Sequence, residues 1–112
     1  MSDYAPDKWV VFKITNRDSI STYKVFASWY GGFAGSDSWK LNSGITKVSL
    51  KDNVYSFEGY SGSVYDCHKN AYGINHAVEF ALNSMRKMGE KAGVTIEVLP
   101  EETNWLEINY AT

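Results

Sequence analysis

Only one stretch of this chain, residues 74 to 93, repeats its apolar side chains at helical spacing, and that restricts the fold more than any other feature. Ile74, Ala77, Val78, Ala81, Leu82, Met85 and Met88 fall three and four apart, the stripe of a helix packed along one side. Asn75 is a good N-cap and Gly93 a stop, so the helix is expected from about Asn75 to Ala92. Glu79, Asn83, Arg86, Lys87 and Glu90 take the opposite face and should meet solvent. The rest of the chain reads as strands and turns.

Lys8 to Ile14 and about Thr22 to Tyr30 carry strand signals separated by Asn16-Arg17-Asp18-Ser19, which predicts an antiparallel hairpin. In the second segment Tyr23, Val25, Ala27 and Trp29 alternate with Lys24, Phe26, Ser28 and Tyr30. Aromatics therefore fall on both faces, and both are expected to be covered. Gly31 to Asp37, with three glycines, reads as the loosest loop. Strand signals return at Ser38 to Leu41 and Ile45 to Leu50, interrupted by Asn42-Ser43-Gly44, where a bulge or sharp bend is expected. Lys51-Asp52-Asn53 is a hairpin turn before Val54 to Tyr60, and Ser63 to Cys67 is a further short strand. Beyond the helix, Val94 to Leu99 and Trp105 to Tyr110 read as two last strands joined by an acidic loop. The expected architecture is α+β, an antiparallel meander sheet with one helix packed across a face.

A length of 112 residues suits one domain that buries roughly two-thirds of its unfolded surface. The net charge of −2 and the scattered cations argue against a nucleic acid polymer as partner. Cys67 is the single cysteine, so no intramolecular disulfide forms. With no basic segment leading into an apolar run at the start, the protein is expected in a reducing cytoplasm. No apolar stretch reaches the roughly 18 to 20 residues of a membrane span, so no membrane partner is expected. The aromatic share of 15%, with eight Tyr and four Trp, is high, and several of these rings are expected to line a cleft or an interface.

The special residues concentrate in two segments. Ser61-Gly62-Ser63, beside Tyr60 and Tyr65, combines exposed amides and hydroxyls that can form an anion-binding concavity, although the same triplet also serves as a plain hairpin connector. Asn42 and Ser43 can read a base edge or ribose hydroxyls, or satisfy the backbone of a bulge. His68 and Lys69, with Asn70, stand where the sheet hands over to the helix, flanked by Tyr65 and Tyr72. Lys69 offers a point charge for phosphate and His68 a donor or acceptor near neutral pH. The free amides of the helix start are expected nearby. Trp39, beside the glycine-rich loop, can stack on a base. Arg17 and Arg86 are the only guanidiniums. Cys67 and His68 do not make a nucleophile and its base, because neighbours on a strand face opposite ways; Cys67 reads as a small buried hydrophobe. Two His and one Cys without paired spacing give no zinc site, and no cofactor is expected.

Ser38-Trp39-Lys40-Leu41-Asn42-Ser43-Gly44-Ile45 and Gly59-Tyr60-Ser61-Gly62-Ser63-Val64-Tyr65-Asp66-Cys67-His68-Lys69-Asn70-Ala71-Tyr72-Gly73 resemble a pattern found in small uncharacterised proteins of tailed bacteriophages. The resemblance covers the middle third to half of the chain and carries no assigned reaction. By analogy, phage proteins of this size and build include anti-defence proteins that sequester nucleotide immune signals such as cyclic ADP-ribose isomers or cyclic oligonucleotides. The resemblance thus implies a sponge that holds a small-molecule nucleotide ligand in a pocket of Trp39, Asn42, Ser43, Tyr60, Ser61, Ser63, Tyr65, His68 and Lys69, without turnover. Because cations are few, a homo-oligomer that combines Lys40, Lys69 and Arg17 from two chains is part of that expectation. The alternatives are a phosphodiester-cleaving enzyme with His68 as general acid or base, and a protein-binding inhibitor of a host enzyme.

Overall fold

Val10, Val11 and Phe12 in strand β1 (Lys8–Thr15) are all buried, and successive strand residues point to opposite sides, so β1 must be covered on both faces. The computed structural model, which describes residues 3–31 and 37–110, meets that demand with three layers. β1 forms the expected hairpin with β2 (Ser21–Trp29), in register from Lys8↔Ser28 to Thr15↔Ser21. β3 (Ser38–Leu41) pairs with the outside of β2 and β7 (Thr95–Val98) with the outside of β1. All pairings are antiparallel, in the order β3-β2-β1-β7. β4 (Ile45–Lys51), β5 (Val54–Gly59) and β6 (Val64–His68) form a second antiparallel sheet.

The two faces of β1 and β2 serve two cores. Trp9, Val11, Val25 and Ala27 pack toward Ile45, Phe57, Tyr65 and Cys67 of the second sheet. Val10, Phe12 and Phe26 pack toward Val78, Ala81 and Leu82 of the helical segment. The architecture is α+β, as expected from the sequence, with the meander divided between two sheets. The division falls at Asn42-Ser43-Gly44. Asn42 ends the β2–β3 pairing by donating its N–H to Val25 O (3.0 Å) and accepting the Val25 N–H on Oδ1 (2.8 Å). Gly44, at φ 127°, then turns the chain toward the second sheet; a Cβ there would lie 2.8 Å from the Tyr60 ring.

Asn75 is the N-cap, its Oδ1 accepting the Ala77 N–H at 3.0 Å. The first turn, His76–Val78, is 3-10, and α1 runs over Glu79–Ala92 to the left-handed Gly93. Met88 departs from the expected stripe, being 73% exposed. Gly89 takes the buried position beside it: the chain folds back at the helix end, Val94 N–H donating to Gly89 O (2.7 Å), and a Cβ on Gly89 would meet Val94 O at 2.9 Å. Among the described residues no helix is long and apolar enough to cross a membrane. The glycine-rich loop of the sequence reading lies, for residues 32 to 36, outside the described residues.

The last expected strand, Trp105 to Tyr110, does not form. Asn104 accepts the Leu106 N–H on Oδ1 (3.2 Å) and the Glu107 N–H on its carbonyl (3.1 Å), which starts a turn instead. Period-two alternation would have put Leu106, Ile108 and Tyr110 on one face and left Trp105 on the other. The turn buries both Trp105 and Tyr110 in the inter-sheet core, and the Tyr110 hydroxyl donates to Trp105 O at 2.6 Å.

Trp9 joins the two sheets. Its Nε1–H donates to His68 O at the end of β6 (2.7 Å), and its ring lies within 6.0 Å of the rings of Tyr55, Phe57, Tyr72 and Trp105. Trp9→Phe keeps a buried ring and leaves His68 O without its donor. It is expected to lower stability to urea by about 1–3 kcal/mol with little change in m-value.

Candidate functional site

Where β1, β5, the turn after β6 and the loop after β7 converge, four aromatic rings line a cavity of about 300 Å3. Trp9 and Trp105, each 1% exposed, form its floor. The half-buried Tyr55 and Tyr72 form its walls. Lys69 and Asn70 stand at the rim on one side, with Glu101 and Glu102 contributed by the acidic loop; all four are exposed.

Each element holds its ring for a local reason. Tyr55 is paired with Cys67 across β5 and β6, which directs it to the same inner face as the buried thiol. Trp9 meets Tyr72 edge-on (4.7 Å, 88°), while Tyr72 and Trp105 lie closer to parallel (5.5 Å, 32°). Tyr72 follows the 3-10 turn Lys69–Ala71 and runs beside β1, with Gly73 N–H donating to Trp9 O (2.9 Å). Its hydroxyl accepts the Val11 N–H (3.2 Å) and donates to Leu99 O, bridging β1 and the chain just past β7. Burial pushes the Tyr72 hydroxyl up to about 12, against the Val11 N–H that lowers it, and the nearby Glu101 and Glu102 carboxylates add to the rise. It therefore remains a neutral donor throughout the physiological range.

Of the residues singled out from the sequence, Lys69 lines this cleft. Asn42 is buried and occupied with Val25, and its Nδ2 has no hydrogen-bond partner. Ser43 and Ser61 contact each other through the Ser61 N–H to Ser43 Oγ bond (2.9 Å) and their hydroxyls (3.3 Å). The amides of the Ser61-Gly62-Ser63 turn point to acceptors inside the loop: Gly62 N–H donates to Gly59 O (2.9 Å) and Ser63 N–H to Ser61 Oγ (3.5 Å). Val64 N–H is taken by the Asp3 carboxylate at 2.8 Å. Tyr60 is exposed against Gly44.

His68 and Lys69 sit at the opposite end of β6 from this group, roughly 16 Å away at about 3.3 Å per residue. Tyr65 is 2% exposed, packed on Tyr4 at 4.8 Å, and burial pushes its hydroxyl up to about 12. Trp39 is stacked on Phe26 on the helix side of the first sheet (5.6 Å, 29°). The structure thus brings Asn42, Ser43, Tyr60, Ser61 and Ser63 together at one end of the second sheet. It places His68 and Lys69 at the other, and Trp39 on a different layer. The helix start expected near Lys69 faces Asp37, whose carboxylate accepts from Gly31 N–H (2.8 Å) and Asn75 Nδ2 (3.0 Å) and is held below its usual range by those two bonds.

The cleft residues missed in sequence were the floor tryptophans, Tyr55 and the two glutamates. Trp9 and Trp105 looked like core residues, which they also are. Pro100 to Asn104 was legible as an acidic loop, yet nothing local indicated that it folds back beside Lys69. Lys40 and Arg17, the other cations expected at a pocket, have internal partners. Lys40 Nζ lies over the Tyr4 ring (5.1 Å), and Arg17 Nε donates to Ala92 O at the helix C-terminus (2.9 Å).

For chemistry, Cys67 is fully buried, its thiol pushed up by burial first and the Asp66 charge second, and so is a poor nucleophile. His76 pairs with Glu79 on the exposed helix surface (3.1 Å), on the far side of the first sheet from Cys67. Among the described residues no group of three or more His, Cys, Asp or Glu is placed to hold a metal ion. Two outcomes follow. Asn42→Ala leaves the buried Val25 N–H without its acceptor and should cost about 1–3 kcal/mol in denaturant melts. Cys67 should fail to react with a thiol-labelling reagent in the native protein and react fully once urea unfolds it.

No family model matches the chain, no curated protein matches it in sequence, and no solved structure matches its fold.

Proposed function

We propose that this protein binds a nucleotide-derived small molecule in the aromatic cleft and holds it without turnover. With the resemblance to small phage proteins, this reading makes it an anti-defence sponge that sequesters a nucleotide immune signal, a cyclic ADP-ribose isomer or a cyclic oligonucleotide, in the host cytoplasm. The observation that carries it is the cleft itself: the half-buried rings of Tyr55 and Tyr72 at its walls suit a planar heterocycle, and Lys69 and Asn70 at its rim suit a phosphate and a sugar. The buried Cys67 and the absence of His68 from the lining favour holding over cleaving.

A second reading is favoured by one observation. Tyr30, Tyr60 and Phe80 are each more than half exposed (52%, 61% and 61%), and although they stand on separate elements, any of them could anchor another protein. The two readings separate when purified protein is mixed with cyclic ADP-ribose isomers and cyclic dinucleotides, filtered, heat-denatured, and the released material identified by mass spectrometry. An intact nucleotide supports the sponge, and a chemically altered one supports the phosphodiester-cleaving enzyme. Nothing small released, with a host protein co-purifying, supports the protein-binding inhibitor. On the leading reading, Tyr55→Ala removes one stacking wall and Lys69→Ala one charged hydrogen bond. Each should weaken binding by roughly 10- to 100-fold while leaving the melt unchanged for the exposed Lys69. Parent affinity in both variants would rule out the cleft as the site.

A further inference from the structure

The charges around the cleft are unusual for a site that takes a phosphorylated ligand. Lys69 contributes one positive charge and Glu101 and Glu102 two negative ones, so the rim is net negative on a chain whose own net charge is −2. Neither guanidinium reaches it. Arg17 Nε is bonded to Ala92 O and Arg86 Nε to Ile96 O, both at the helix and β7 side of the molecule. A ligand with two phosphates would meet one cation and two like charges. A planar ring that is itself cationic meets the reverse: the electron-rich rings of the half-buried Tyr55 and Tyr72 attract it, and two carboxylates at the rim neutralise it.

Resting on the reading of the cleft as a small-molecule site, but not on its cyclic ligands with two or more phosphates, we propose that it selects a mononucleotide whose heterocycle carries a positive charge, such as an N-alkylated pyridinium. The ring lies against Tyr55 and Tyr72 beside Glu101 and Glu102, and a single phosphate lies on Lys69. The two halves of the ligand then match the two sides of the rim. Lys69 and Asn70 come from the turn after β6, and the carboxylates come from the loop after β7.

Nicotinamide mononucleotide tests this cleanly, because its oxidised form has a cationic pyridinium and its reduced form a neutral ring on the same ribose phosphate. Titration calorimetry on the full chain should show the oxidised form bound at least 10-fold more tightly than the reduced one. In the double variant Glu101→Gln and Glu102→Gln, both at exposed positions, that preference should fall below 3-fold, with far-UV circular dichroism unchanged. Lys69→Ala should weaken both forms alike by roughly 10-fold, since the phosphate is common to them. Equal affinity for the two forms, or a preference that survives the double substitution, overturns the proposal. If neither form binds while a cyclic dinucleotide does, the charge selection is overturned and the sponge reading stands. Failure of every nucleotide overturns both.

Discussion

The Trp9 side chain is the contact on which the rest of the structure depends. It sits on the central strand of the first sheet, reaches across the interlayer space, and donates to the last carbonyl of β6. Without that bond, burying the His68 carbonyl against an indole would cost free energy. With it, the end of β6 is fixed relative to β1, and so is the turn that follows it. Lys69, Asn70 and Tyr72 follow directly from it, with Tyr72 fixed further by its own bonds to Val11 and Leu99. The ring that carries the bond is also the floor of the cleft, so the fold's tie and the site's base are the same group.

A cleft of this kind is a packing compromise. Four large rings from segments far apart in sequence meet here, three of the contacts at 59° to 88° and one at 32°, and two of the four rings remain only half buried. The chain uses the Tyr72 hydroxyl to complete hydrogen bonding at the point where β7 ends beside β1, which lets an aromatic residue stand where a strand would otherwise continue. The opening is therefore held by backbone bonds on one side and by an inter-sheet bond on the other. Such a preformed cavity gives up little conformational entropy when it is filled.

Much of the fold was legible because local signals agreed with the final packing. The helix stripe, its Asn75 cap and Gly93 stop, the β1–β2 hairpin and the doubly covered β2 all follow from periodicity and turn chemistry. The division into two sheets was not legible, because the Asn42-Ser43-Gly44 bend looks the same in sequence whether it makes a bulge or a crossing. Trp105 to Tyr110 failed as a strand because an Asx turn at Asn104 competes with alternation, and only the inter-sheet space decides between them. The site was harder still. Lys69 could be found from its own neighbours, whereas Tyr55, Glu101 and Trp105 become functional candidates only through contacts tens of residues away. Asn42 and the Ser61 turn drew attention as polar, glycine-rich segments, and the structure employs much of that polarity in satisfying its own backbone.

The indole that ties the layers together lies near the beginning of the chain, and Trp105, one of the rings that closes over it, near the end. On a ribosome adding about 5–20 residues per second, β1 is made roughly 5 to 20 s before its last neighbours emerge. Until residues 45–67 of the second sheet and 78–82 of the helical segment have followed, Val10-Val11-Phe12 forms an apolar segment with neither face covered, the kind of sequence that seeks another strand. The flanking Lys8 and Lys13 place a positive charge at each end of it, so that nascent chains repel one another where they are stickiest. The same architecture that gives the native protein a two-sided central strand thus makes its biosynthesis a race between translation and self-association.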